Sequence, residues 1–264
     1  MHAYERVAEE LAADIANGVW PPGSALPTIP ALEERFGVSR ITVRGGLEEL
    51  ARRGLVYTGY ISGRRGTIVR SQGKIDTYLT DALRPDRDRT TMDAFTENAA
   101  KVGKRASKRF SMRMEPAPKS VTKILGVDPG ALVVIRTLHQ LLDGEPWSRE
   151  VGYYPRDLAE EVGLDTPEDI PQGTIRALAD AGHQEIAHRD ELTYETAGPQ
   201  DAHDLGLTIG APLLMQTRIA ATAKRVTRVM RYVRIAERNR LVWEVGDAGG
   251  LDLIRAAHNS EDAR

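Results

Sequence analysis

Gly37-Val38-Ser39-Arg40-Ile41-Thr42-Val43-Arg44 is the stretch from which the fold reads outward. Ser39 suits a helix N-cap, because its hydroxyl can accept a hydrogen bond from a first-turn amide that would otherwise lack a partner. A helix is therefore expected from about Arg40 to Arg52. Ile41, Val43, Leu47 and Leu50 recur at helical spacing and are expected to pack inward. Arg40, Thr42 and Arg44 then lie in the first turn and a half, with both arginines free to point away from the core. A helix that presents such residues at its start has the geometry that enters a DNA major groove.

The flanking segments fit that geometry. Upstream, Tyr4, Val7, Ala8, Leu11 and Ile15 form an apolar stripe on a first helix, which Asn17-Gly18 ends and Pro21-Pro22-Gly23 keeps from continuing. Thr28 is a candidate cap for a short second helix holding Leu32 and Phe36, and Gly37 supplies the tight turn of a helix-turn-helix. Downstream, Leu55-Val56-Tyr57 and Thr67-Ile68-Val69 read as two short strands around Gly63, Arg64, Arg65 and Gly66, a basic hairpin placed as a wing.

This arrangement resembles the winged-helix domain of the GntR family of bacterial transcription regulators. The resemblance covers about residues 4–70 and rests on Tyr4, Pro22-Gly23, Leu26-Pro27, Gly37-Val38-Ser39-Arg40, Thr42-Val43-Arg44, Leu47, Leu50, Gly54-Leu55 and Gly66-Thr67. It implies double-stranded DNA as partner, read as an inverted repeat by a homodimer, with Ser39, Arg40, Thr42, Arg44, Arg64, Arg65 and Gly66 at the contact. Three features depart from the family pattern: Pro30 replaces a usual reader, Arg64 replaces the first wing glycine, and Gly45-Gly46 follows Arg44. Each of those helical glycines costs roughly 1 kcal/mol of propensity relative to alanine.

Charge gives a separate indication. The whole chain carries a formal net charge of −2, which argues against a general polyanion binder. Over residues 38–70, however, seven arginines stand against only Glu48 and Glu49. A plainer arrangement pairs Glu48 with Arg52 or Glu49 with Arg53 along a solvated helix.

At 264 residues the chain is long enough for two domains. It has no cysteine, hence no disulfide framework and no thiolate chemistry. No apolar leader opens it, and its longest apolar run, Ala131-Leu132-Val133-Val134-Ile135, is far too short for a bilayer, so a soluble cytoplasmic protein is expected. Residues 71–94 are charge-dense and poor in apolar anchors, as a linker would be.

Beyond residue 95 the period becomes that of strands. Residues 132–142 read as one, and Leu213, Met215, Thr217, Ile219 and Ala221 alternate along another. An internal echo precedes both: Leu125-Gly126-Val127 with Gly130-Ala131, then Leu205-Gly206-Leu207 with Gly210-Ala211. Two related helix-turn-strand half-units in an α+β domain follow from it, unless the glycines coincide by chance.

The second domain resembles the UTRA effector domain of the HutC-type branch of that family, a chorismate-lyase-like α/β fold. Matching stretches include Asp93-Ala94-Phe95, Asp143-Gly144-Glu145-Pro146, Tyr154-Pro155, Gly210-Ala211-Pro212-Leu213-Leu214 and Arg218. The resemblance implies a small-molecule sensor that binds its effector through Arg136, Glu150 and the loop holding Thr174 and Arg176. An arginine fork suits an anionic group, and a carboxylate accepts from hydroxyls or an amine. A salt bridge between Arg136 and Glu150 that merely joins two strands is the alternative. Leu138, Met230 and Leu241 replace residues more usual for phosphosugar sensors, which suggests a different or more apolar ligand.

The domains read as 1–70 winged helix-turn-helix, 71–94 linker, 95–248 effector and dimerisation domain, and 249–264 a frayed tail. No cofactor and no catalytic residue are expected. His188, Asp190, Glu191 and His203 could form a metal site of a hydrolase, but no His-Glu-x-x-His, Gly-x-Ser-x-Gly or phosphate-loop motif accompanies them. The reading is a dimeric repressor released from its operator by an effector. Its alternatives are a DNA binder whose second domain only dimerises, and a metal-dependent hydrolase with an accessory DNA-binding domain.

Overall fold

Three helices open the chain: α1 (Ala3–Ala16), α2 (Ile29–Phe36) and α3 (Arg40–Arg52). The computed structural model describes residues 2–61, 64–70, 75–80 and 94–261. Val7, Ala8, Leu11 and Ile15 of α1 meet Leu32 and Phe36 of α2 and Val43 and Leu50 of α3 in one core, as their spacing predicts. Gly37 takes the left-handed conformation at φ 62° that ends α2 without a Cβ penalty. Thr28 occupies the cap position of α2 but makes no side-chain cap bond, in contrast to the expectation. A hairpin of β1 (Val56–Ile61) and β2 (Arg64–Val69) follows, pairing Val56 with Val69 through Ile61 with Arg64.

The unfavourable Gly45-Gly46 pair has a packing reason. A Cβ on Gly46 would sit 2.7 Å from Val7 Cγ1, 3.0 Å from Val7 Cβ and 3.2 Å from the Tyr4 carbonyl, so α1 crosses α3 where only glycine fits. Alanine would gain about 1 kcal/mol of helix propensity. Overpacking costs about 1–3 kcal/mol and should outweigh it. Gly46→Ala is therefore expected to lower unfolding stability by about 1 kcal/mol in a urea titration; a stabilised variant would show that α1 yields freely.

The second half begins with β3 (Ile75–Tyr78) and α4 (Ala94–Lys101). Then come β4 (Ala106–Pro116), α5 (Lys119–Leu125), β5 (Leu132–Leu142) and β6 (Glu145–Pro155). After α6 (Arg156–Val162) and α7 (Thr174–Asp180) the pattern returns as β7 (Ala187–Thr196), α8 (Pro199–Leu205), β8 (Pro212–Ala221) and β9 (Val226–Ile235). β10 (Asn239–Val242) and α9 (Ala248–Glu261) close the chain. The six long strands form one antiparallel sheet in the order β4-β5-β6-β9-β8-β7, so the two strand-helix-strand-strand units lie symmetrically about the β6/β9 junction.

The internal echo is thus structural. Gly126 and Gly206 end α5 and α8 at φ 70° and 63°, and Gly130 and Gly210 make the turns into β5 and β8 at φ 86° and 88°. One sheet face packs on α5 and α8 through Val121, Leu125, Val133, Ile135, Leu205 and Leu213. The opposite face packs Val134, Tyr154 and Met230 against Leu158, Leu164 and Leu178 of the α6–α7 segment.

Two expectations are corrected. Within the expected linker 71–94, Ile75–Tyr78 form a strand running parallel to β10. The segment takes its strand bonds from a partner far along the chain, which periodicity does not reveal. The expected frayed tail 249–264 is helical from Ala248 to Glu261, anchored by Arg255 on Glu244.

Candidate DNA-contacting helix and ligand-facing sheet

Ser39 caps α3 as its sequence indicates: its Oγ accepts from the Thr42 amide at 3.3 Å and lies 3.0 Å from Thr42 Oγ1. Arg40 and Arg44 are exposed, and neither has a hydrogen bond or ion pair among the described residues. Ile41 overturns the expectation that it packs inward, being 83% exposed. Val43, Gly46 and Leu50 define the buried face of α3, and Ile41 sits on the other side with Arg40 and Arg44. An exposed apolar group between two arginines is what a thymine methyl would meet in a major groove.

Most of the remaining positive charge is already spent. Glu49 receives both Arg52, at 2.7 and 2.8 Å, and Arg53 at 2.7 Å, and these bonds hold its carboxyl at about 2. Arg53 also reaches Glu9 at 2.8 Å. Arg70 pairs with Glu237 of the second half and lies over the Tyr57 ring, which Arg238 faces at 5.0 Å. Of the seven arginines counted in the sequence, Arg40 and Arg44 are therefore the two described side chains with no ion pair or hydrogen bond among the described residues. Arg64 and Arg65 open β2, with Gly66 opposite Gly59; the turn at 62–63 and both arginine side chains lie outside the described residues.

In the second half, pairing aligns Arg136, Gly152, Met230, Arg218 and Asp190 in one row across five strands. The next row holds Leu138, Glu150, Tyr232, Gln216 and Leu192. Both rows lie on the face covered by α6 and α7, and Leu138, Glu150 and Tyr232 are half-buried there. Gly152 is the low point of the row. A Cβ there would come within 2.8 Å of Met230 Sδ and of the Tyr154 ring, so those side chains close over bare backbone.

Arg136 is not idle in this arrangement. Its guanidinium donates to the carbonyls of Leu164 at 2.7 Å, Thr166 at 3.4 Å and Glu168 at 2.9 Å, with Asp169 at 3.8 Å and the Phe110 ring at 4.3 Å. Burial lowers its pKa, only partly offset by Tyr154 and Asp169. It thereby secures the loop that covers the sheet, a task distinct from the strand-joining salt bridge with Glu150. Thr174 opens α7 and accepts from the Tyr154 hydroxyl at 3.1 Å, whereas Arg176 pairs with Asp180 one turn along the same helix at 2.8 Å. The four residues named from the sequence therefore do not converge: Arg136 and Glu150 share the sheet face, Thr174 touches its edge, and Arg176 lies on the outer helix.

Several polar residues of this face were missed. Arg228 and Glu185 form a fully buried pair, and Arg234 donates to Gln216 at 2.7 Å while stacking over Tyr232 at 4.3 Å. A signal existed: Arg228, Tyr232 and Arg234 recur at even positions in β9, a strand otherwise apolar enough to be buried. The histidines considered for a metal separate, since His188 approaches Asp190 at 3.4 Å while His203 sits on α8 beside Asp204, on the other side of the sheet.

Comparison with known families and structures agrees with both halves. The family of bacterial regulatory proteins designated gntR matches residues 3–69, and the UTRA domain matches residues 103–238. Similar proteins include the HTH-type transcriptional repressor NagR of Bacillus subtilis (strain 168), 28% identical over 81% of this chain and 82% of NagR. The HTH-type transcriptional regulator YurK of the same organism is 31% identical over 62% of this chain and 61% of its own. The crystal structure of PhnF from Mycobacterium smegmatis shares the fold at a TM-score of 0.57 and 21% identity, covering 91% of this chain and 99% of that one. No helix among the described residues is long and apolar enough to cross a membrane.

Proposed function

Because the chain belongs to the gntR family of bacterial regulatory proteins and carries a UTRA domain, it is a DNA-binding transcription regulator with an effector-binding domain, and we propose that it is a cytoplasmic, dimeric repressor released from its operator by a small molecule. The observation that carries the DNA half is the exposed trio Arg40, Ile41 and Arg44 on the capped first turns of α3, with no partner for either arginine among the described residues. In a major groove, arginine can donate bidentately to guanine and isoleucine can pack on a thymine methyl. Ser39 and Thr42 would sit at the backbone edge, and Arg64, Arg65 and Gly66 would reach the flanking minor groove. Two such helices in a dimer would read an inverted repeat. The repressor named among the similar proteins supports the sign of regulation.

For the effector we assign the sheet face around Arg136, Glu150 and Tyr232, with Thr174 at its edge and Arg176 outside the first contacts. Since Arg136 already serves the covering loop, an anionic ligand must displace loop carbonyls or share the guanidinium with them. Met230 and the half-buried Leu138 add apolar surface, which favours a ligand with a substantial apolar body. Such a site performs no reaction in this reading.

The test is a thermal-shift screen of metabolites followed by fluorescence anisotropy on DNA from upstream of the gene. A ligand that raises the melting temperature is expected to lower DNA affinity about fivefold or more, because coupling of about 1–3 kcal/mol is typical between linked sites. A stabilising ligand that leaves DNA affinity unchanged refutes release by effector.

A further inference from the structure

The ligand-facing side of the sheet is covered by more than the α6–α7 segment. Where the row from Arg136 ends, Arg218 donates from Nε and Nη2 to the two carboxylate oxygens of Asp190 at 2.8 and 2.7 Å. Its Nη2 donates at 2.7 Å to a third acceptor, the backbone carbonyl of Leu79. Arg218 and Leu79 are 5% and 4% exposed. Leu79 belongs to the segment that leads from the winged helix into the second domain. That segment is held on its other side too: the Leu79 amide donates to the Val242 carbonyl at 2.9 Å, Arg240 clamps Asp76 at 2.5 and 2.7 Å, and Thr80 Oγ1 accepts from the Glu244 amide.

Asp190 is itself fixed. Gln216 donates to it at 2.7 Å, His188 lies 3.4 Å away, and burial, which alone would raise its pKa, is outweighed by Arg218 and Gln216. A guanidinium is a rigid planar fork, so a fixed carboxylate also fixes where its remaining donors aim. A lysine there could neutralise Asp190 but could not hold both carboxylate oxygens and the carbonyl in one plane. Three strand spacings separate Arg136 from Arg218, roughly 14 Å, which places the attachment on the face assigned to the effector and within reach of whatever moves there.

We infer that Arg218, oriented by Asp190, is the positioning residue that fastens the connecting segment at Leu79 to the ligand-facing sheet, and that this attachment couples the sheet to the DNA-binding domain. Its second clause rests on the proposed function; the attachment stands on the geometry alone. Coupling requires that DNA bind with different affinity when the segment is fastened and when it is free.

The experiment is amide hydrogen exchange on the full chain, wild type and Arg218→Lys, with and without DNA from upstream of the gene. Exchange at residues 76–80 and 239–242 is expected to accelerate at least tenfold in Arg218→Lys, while β5 and β6 keep their protection. Asp190→Asn, which leaves the arginine in place but removes its charged guide, is expected to give a smaller acceleration of the same segments. Unchanged exchange at 76–80 in either folded variant overturns the attachment, and Asp190→Asn serves if the lysine variant does not fold. In the wild type, DNA is expected to change exchange at 76–80, and this response should be lost in the variant. A bound wild type with no change at 76–80 overturns the coupling, whereas failure of the wild type to bind any upstream DNA counts against the proposed function and leaves the attachment result standing.

Discussion

Glu185→Ala is expected to destabilise the second domain by about 3–5 kcal/mol, the cost of leaving a buried charge without its partner. Arg228 is 2% exposed and Glu185 6%. The arginine donates from Nε and Nη2 to the carboxylate at 2.8 Å each, and Thr227 adds a bond of 2.6 Å. The pair lies deep in the fold, so removing one member leaves the other buried without its charged partner and out of reach of water. Replacing both, as Glu185→Leu with Arg228→Met, should recover most of the loss, because an apolar pair of similar volume needs no compensation. Urea unfolding of the single and double variants measures this; a double variant as unstable as the sum of the singles would show that the pair is not coupled.

The same pair sets an acid limit. Desolvation is the largest influence on Glu185 and raises its pKa, but the charge and hydrogen bonds of Arg228, with the bond from Thr227, outweigh it and leave the pKa below the ordinary 4.5. A folded-state pKa below the unfolded value means the contribution is fully present above the unfolded pKa and is lost as pH falls through the folded one. The wild type should therefore lose stability on acidification below that ordinary value more steeply than the double variant.

Arg40→Ala combined with Arg44→Ala is expected to lower operator affinity at least about 30-fold, since two base or phosphate contacts are together worth about 2 kcal/mol or more. Both side chains are exposed and without partners among the described residues, so the melting temperature should stay unchanged. The control is Arg52→Ala with Arg53→Ala. Those arginines are held by Glu49, and Arg53 also by Glu9, so the control should cost less affinity despite removing equal charge. Fluorescence anisotropy at fixed salt decides between them. A larger loss in the control would mean that the DNA lies along the C-terminal end of α3.

The elements themselves were legible in the sequence because each follows from local chemistry. Ser39 capping α3, Gly37 in the left-handed turn and the strand at 132–142 all depend on a handful of adjacent residues. The paired glycines at 126 and 206, and at 130 and 210, reported the internal repeat before any strand pairing was known. Family resemblance supplied the expected effector residues, and among them only Arg136 and Glu150 share the sheet face.

What local pattern left open was every matter decided across the fold. Helical spacing placed Ile41 with the core, but α1 and α2 bury only the face of Val43, Gly46 and Leu50, so Ile41 faces solvent beside the arginines. Gly46 looked like a propensity cost until Val7 came within contact of it. Counting charge gave seven arginines for DNA; side-chain pairing with Glu49, Glu9 and Glu237 withdrew three. The segment at 75–80 read as linker because its partner, β10, lies more than 160 residues later, as the bonds from Arg240 to Asp76 record. The sequence by itself determined the two kinds of domain, the capped third helix and the repeated half-unit, because caps, turns and periodicity act between near neighbours. Only the tertiary structure decided which arginines remain available, where Arg136 points and that Arg218 grips Leu79, because hydrogen bonds and burial between distant residues exist only after the chain has packed.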